Sequence, residues 1–312
     1  LMMVCNAVFR AHGDGATSAA MMVLAAVVNI AINPVLIFGW GPIPQMGTEG
    51  AALATAIGRA VGAGVALWYA WRSGLLTVCS KPLKGLMSSI REVVSVGVPA
   101  AGSNAINPAG MALVTAAVAT LGEAAVAGFG AATRVQSVAL VALFALSAGI
   151  GPVVGQNFGA DKEDRARAAL KQAWLFSVLY GLVLAAGVTM FAEHIAGFFA
   201  DGSEAKAYTA EYLRIVSWSI MGYGILVITN AAMNARSKAG YSLGLSLTRI
   251  FAVYVPLAWA LMWAFDYTGI LMAAVAANVF AIAGGVYCAR KTGLFTSEDG
   301  AGAAKALVRS NG

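Results

Sequence analysis

TSAAMMVLAAVVNIAINPVLIFGW, residues 17–40, holds not one charged side chain. As an α-helix rising 1.5 Å per residue it would reach about 36 Å, more than the roughly 30 Å hydrocarbon core of a bilayer. Seven more long, predominantly apolar stretches follow, at 48–71, 93–120, 124–151, 165–192, 206–234, 240–265 and 268–290. Membrane strands would instead read as alternating segments of about ten residues, whereas these are long, uniformly apolar and rich in Ala, Leu and Val. The fold class expected is therefore an all-α membrane protein. Composition agrees, because 60% hydrophobic and 11% charged residues depart from the roughly 25% charged of a soluble domain.

The net charge of +6 could suit nucleic acid, but the basic residues do not gather on one face; they alternate between loops. Arg10, Arg72, Lys81, Lys84, Arg91, Lys162, Arg165, Arg236, Lys238, Arg290 and Lys291 fall on one side, while the other has Lys206 alone. Basic loops stay inside, so the expected location is the cytoplasmic (inner) membrane with a cytoplasmic C-terminus. Trp40, Trp68, Trp71, Trp263 and Tyr267 stand near block ends, where amphipathic rings favour the interface. Cys5, Cys79 and Cys288 are far apart and near cytoplasmic ends, which predicts free thiols.

Residues 1–9 are apolar yet span less than half a bilayer, and read as the inner half of a helix. An internal repeat sets the scale: Gly47-Thr-Glu-Gly-Ala-Ala-Leu-Ala54 matches Gly269-Ile-Leu-Met-Ala-Ala-Val-Ala276 at an offset of 222 (269 − 47), and Pro34 matches Pro256 at the same offset. Both copies run in the same direction across the membrane, which implies two halves related by an axis along its normal. With a second half starting near Leu83, the first would begin about 140 residues before Leu1 (83 − 222 = −139). The parent expected has twelve helices.

Val154-Gly-Gln-Asn-Phe-Gly-Ala160, a charged loop and Arg165-Ala-Arg-Ala-Ala-Leu170 resemble the segment after the eighth helix of multidrug and toxic compound extrusion (MATE) transporters. Asn29-Ile-Ala-Ile-Asn-Pro34 resembles their fifth helix, and Val96-Gly-Val-Pro99 and Ala125-Val-Ala-Gly-Phe-Gly130 the starts of the seventh and eighth. The order and spacing of these marks cover nearly the whole chain. The resemblance implies two pseudo-symmetric six-helix lobes around a central cavity, the first incomplete here: 1–80 as the end of the N-lobe, 81–92 as a cytoplasmic linker with an amphipathic helix near 83–90, 93–295 as the C-lobe and 296–312 as a disordered tail. It implies a secondary antiporter that exports drugs or other small organic compounds against H+ or Na+, without cofactors or nucleic acid, and as a monomer. The chain has no GxxxxGK[ST] phosphate loop and no hydrolytic motif, so neither ATP hydrolysis nor an enzyme is expected.

Coupling is where the chain departs from the pattern. One branch of the family carries an Asp in the fifth helix where this chain has Asn33; another carries a Glu in the seventh where it has Asn107, and an Asp in the tenth near Gly224. No acid lies at any helix centre. An amide oxygen can ligate sodium or a substrate but does not exchange protons near neutral pH, so Na+ is conceivable at Asn33 or Asn107, and a proton carrier would belong to the first helix of the parent. The candidate substrate or ion ligands are Asn29, Asn33, Asn104, Asn107, Arg134, Gln136, Tyr223 and Asn230. For Asn29 and Asn33 the other reading is interhelical bonding beside Pro34, and for Arg134 and Gln136 a neighbouring helix.

Arg59 and Arg249 are the expensive residues, since an Arg at a helix centre costs roughly 2.5–3.5 kcal/mol even on insertion scales. Their compensation is a missing acid, backbone carbonyls, a wet cavity or an anionic substrate, with snorkelling open to Arg249. Two further readings stand beside efflux: a lipid or lipid-linked oligosaccharide flippase, whose pyrophosphate would suit cavity arginines, and a transport-incompetent fragment or membrane scaffold. The charge asymmetry makes a direct prediction. On a background without native cysteines, single cysteines at Gly41 and Ser203 will react with an impermeant thiol reagent from outside, and those at Lys162 and Ser237 will not; the reverse pattern inverts the topology.

Overall fold

The computed structural model describes residues 1–42, 44–76 and 85–295. Cys79, the first part of the expected linker and the 296–312 tail lie outside the described residues. The chain divides into two compact units, Leu1–Met87 and Ser88–Gly312.

The first unit contains α1 (Met2–Ala11), α2 (Gly15–Phe38) and α3 (Gly47–Arg72). Along α3, Gly50, Ala54, Gly58, Gly62, Ala66 and Ala70 recur at every fourth position and are all buried. Such a stripe lets two backbones meet, which is how helices associate where lipid removes the hydrophobic drive. A Cβ on Gly58 would stand 2.7 Å from the Ala25 carbonyl oxygen of α2, and one on Gly62 2.9 Å from Ala25 Cβ. Gly64 faces open space and has no part in this packing. At the other end of α2, Asp14 caps the helix by accepting from the Thr17 amide at 3.0 Å, and Tyr69 of α3 donates to the same carboxylate at 3.3 Å. Those bonds hold the Asp14 carboxyl below its usual range, with the Thr17 bonds the main cause. The cap is therefore complete above the ordinary Asp range and is lost as pH falls through the lowered value.

The second unit runs α4 (Leu86–Ala119), α5 (Glu123–Ala139), α6 (Val141–Gly159), α7 (Glu163–Met190), α8 (Ala192–Phe199), α9 (Ser203–Val216), a 3-10 turn Ser217–Ser219, α10 (Ile220–Ala235), α11 (Ala239–Leu247), a π-helical segment Thr248–Tyr254 and α12 (Val255–Lys291). Six helical stretches among the described residues are long and apolar enough to cross a membrane, and the last, Ala239–Lys291, folds back at Phe265 and Asp266. Asp266 has φ 49° there, so that stretch contains the two crossings expected at 240–265 and 268–290. Glu211 of α9 accepts from Thr268 Oγ1 at 2.5 Å. The carboxylate thus sits in the first turn of the returning helix, where negative charge complements the helix dipole.

Three expectations are revised. Among the described residues no separate amphipathic helix precedes the first crossing of this unit: α4 starts at Leu86 and continues unbroken, carrying Pro99 and Pro108 inside it. The stretch expected at 124–151 extends to Gly159 and breaks at Leu140. The two prolines matched in the repeat are not equivalent: Pro34 lies inside the continuous α2, whereas Pro256 follows the π-helical segment. Proline lacks an N–H and its ring meets the carbonyl four residues back, here Ala252, so the wider π turn accommodates what an α turn would not.

α10 is locked by glycine. A Cβ at Gly222 would lie 2.2 Å from the Asn278 carbonyl oxygen of α12, and one at Gly224 2.1 Å from Ser177 Oγ of α7. The backbone at Asn278 has nowhere to go, so Gly222→Ala will destabilise the purified protein by about 1–3 kcal/mol. Gly187 in α7 has open space around it, and Gly187→Ala will be neutral or stabilising by about 0.5–1 kcal/mol. Thermal unfolding in detergent measures both; equal midpoints would contradict this packing.

Candidate functional site

Four segments of the second unit meet at Arg249. The π turn places this residue on the inner face of the bundle, where it is only 6% exposed. Its Nη1 donates to Asn107 Oδ1 of α4 and its Nη2 to Asn278 Oδ1 of α12, both at 3.0 Å. The guanidinium carbon stands 5.0 Å from the centre of the Tyr223 ring of α10. Asn107 in turn donates its amide N–H to the Tyr223 hydroxyl. Asn278 donates to Ser219 Oγ at 2.8 Å, and Ser219 to the Val216 carbonyl. Every link ties a polar side chain on one element to a neighbour on another.

The magnitudes explain why the arginine is tolerated. Hydrogen bonds to a charged group contribute about 1.5–3 kcal/mol each, so two of them are of the size of the roughly 2.5–3.5 kcal/mol insertion cost. Snorkelling is not used: the head group is buried and bonded inward. Among the described residues its partners are a pair of side-chain amide oxygens. An amide satisfies the N–H donors but leaves the charge uncancelled. Arg249 Nε has no hydrogen-bond partner at all.

Two cavities flank the cluster, and Asn107, Pro108, Phe144, Tyr223 and Arg249 line both. One, of about 270 Å³, extends past Met111, Gln136, Val216 and Tyr254. The other, of about 260 Å³, extends toward the α10–α11 turn past Ser103, Asn104, Asn230 and Ser246. The Asn107–Tyr223–Arg249 cluster is thus the partition between them. Among the described residues no carboxylate lines either cavity. In the second, Asn230 donates to Ser246 Oγ at 3.0 Å while its buried Oδ1 is unpartnered.

The candidates separate accordingly. Asn104, Asn107, Gln136, Tyr223 and Asn230 come together around these cavities, Gln136 accepting from the Tyr212 hydroxyl at 2.6 Å. Arg134 is exposed and lines neither. In the first unit, Asn29 donates to Thr55 Oγ1 at 3.2 Å and lines a cavity with Asn6, Arg10 and Arg59; Asn33 does not line it, and its buried Oδ1 has no partner. Arg59 is exposed in that unit. Gly224, the position matching the tenth-helix acid, is closed against Ser177 and Leu143 and points away from the cavities. Asn107 is a poor sodium ligand, because its oxygen already receives a guanidinium and a second cation there would be repelled. Sequence reading passed over Asn278, although a lone amide in the middle of an Ala-rich crossing is the same signal that drew attention to Asn107.

Comparison with known proteins agrees with this architecture. The MatE family profile matches residues 99–260. A FAD transporter of Shewanella oneidensis is 30% identical over 89% of this chain and 62% of its own length. A probable multidrug resistance protein NorM of Thermotoga maritima is 23% identical over 84% of this chain and 56% of its own. The crystal structure of a mutant of the Vibrio cholerae MATE transporter VcmN superposes with a TM-score of 0.88 at 25% identity, covering 93% of this chain and 65% of that one. The chain spans about six-tenths of the length of these relatives. With half its length matched by the family profile and its helices laid out as in solved members, the chain belongs to the MatE family of multi-pass membrane transporters.

Proposed function

We propose that this chain forms the greater part of a secondary antiporter that moves organic compounds out of the cell in exchange for H+ or Na+ by alternating access. It would sit in the cytoplasmic membrane with its C-terminus inside, 1–80 belonging to an N-lobe and 93–295 forming the C-lobe. The observation that carries the reading is the partitioned cavity: aromatic and amide side chains converge at mid-depth on a buried cation, and the partition is made of side-chain hydrogen bonds rather than backbone. Such bonds can break and reform as helices tilt, and the four-segment junction at Arg249 would transmit the tilt from α4 to α12. Family members named as multidrug export proteins support export, among them MepA of Staphylococcus haemolyticus, 25% identical over 87% of this chain.

A coupling cation entering the cavities around Arg249 would meet a guanidinium whose partners are neutral. The flippase reading has one observation behind it, the same arginine, but one cation in a cavity of about 270 Å³ suits a compact solute better than a lipid-linked sugar.

Two measurements test this. In proteoliposomes of the complete protein, an imposed proton or sodium gradient will drive counter-movement of an organic substrate, and no gradient-dependent movement across a panel of dyes and nucleotides retires the antiporter. Asn278→Ala leaves Arg249 Nη2 and Ser219 without their partner; it will cost about 1–3 kcal/mol of stability and slow transport at least tenfold. Unchanged transport would show that the Arg249 junction plays no part in the cycle.

A further inference from the structure

We infer that the C-lobe cavity selects organic anions that carry a planar aromatic group, with Arg249 as the residue that recognises the charge. The inference rests on the transport reading of the same site and names its substrate class. Arginine has five N–H donors, and Arg249 commits two of them, to Asn107 and Asn278. Its Nε is buried and unpartnered, and the residue lines both cavities. Both partners are neutral, so hydrogen bonding anchors the side chain while its positive charge stays available. With no carboxylate among the described residues of the cavity lining, a largely buried charge attracts anions and repels cations more strongly than one in water.

The walls supply the second half of the class. Phe144 and Tyr223 meet edge to face with centroids 6.1 Å apart, and Tyr212 and Tyr254 complete an aromatic lining of the larger cavity. Aromatic rings lining the same cavity as a fixed cation suit a planar ring system bearing a phosphate, sulfonate or carboxylate. The first unit has the same polarity: Arg10 and Arg59 line its cavity and no carboxylate does.

The experiment uses binding, so that its failure is distinct from a failure to transport. The purified 312-residue chain in nanodiscs is titrated with FMN, with riboflavin, which has the same ring without the phosphate, with the dianion fluorescein and with the planar cation ethidium. The chain will bind FMN or fluorescein at least tenfold more tightly than riboflavin or ethidium. Arg249→Gln will erase the preference for FMN over riboflavin, Arg249→Lys will retain it in part, and Lys162→Gln, the same charge change on an exposed turn, will leave it intact. Should Arg249→Gln fail to fold, Arg249→Lys together with loss of the preference at high salt decides the matter, since the lysine keeps the charge but not the two-pronged anchor. Equal binding of FMN and riboflavin, tighter binding of ethidium, absence of binding by both anions, or a preference that survives Arg249→Gln would each overturn the inference.

Discussion

The second unit is organised around one constraint: a buried guanidinium in a bundle of membrane-spanning helices needs polar partners. Arg249 meets it through Asn107 and Asn278, so α4, the π turn and α12 are tied at one point, and Tyr223 of α10 closes the ring. The position of that side chain depends on Pro256. A proline that cannot donate, and whose ring needs room, widens the preceding turn, and the widened turn sets the direction in which Arg249 points. Local backbone chemistry thereby fixes the place of the only cation among the described residues of the cavity lining.

Close approach of the helices is the condition for that junction. Lipid offers no hydrophobic drive for helix association, so contact is made where side chains are absent. Gly222 presses against the backbone of Asn278 and Gly224 against Ser177, leaving Tyr223 between them turned to the cavity. The two units handle the same helix pair of the repeat alike. In the first, Asn29 bonds Thr55; shifted by 222 these are positions 251 and 277, within two residues of the Arg249–Asn278 contact. A polar bond between the corresponding helices is thus common to both units, with charge added in the second.

The replacement of acids by amides changes what the cavity can do. A carboxylate at position 107 would neutralise Arg249 and form a buried ion pair, whereas the amide holds the arginine and leaves its field in place. The amide at position 107 thus anchors the arginine without cancelling its charge.

The sequence alone determined that the chain is helical and membrane-spanning, because runs such as 17–40 offer neither charge nor strand periodicity, and hydrocarbon permits few other solutions. It also determined the repeat and the family resemblance, since those depend on the order of residues along the chain. It singled out Asn104, Asn107, Gln136, Tyr223 and Asn230 because polar groups in apolar runs are costly and need a reason. Partnership was beyond it. That Arg249 bonds inward rather than snorkelling, that Asn278 completes its anchor and that Arg134 stands outside the cavity depend on which faces four distant segments turn to one another. Those faces are set by the glycine contacts of α10 and by the π turn before Pro256, which only the packed tertiary structure fixes.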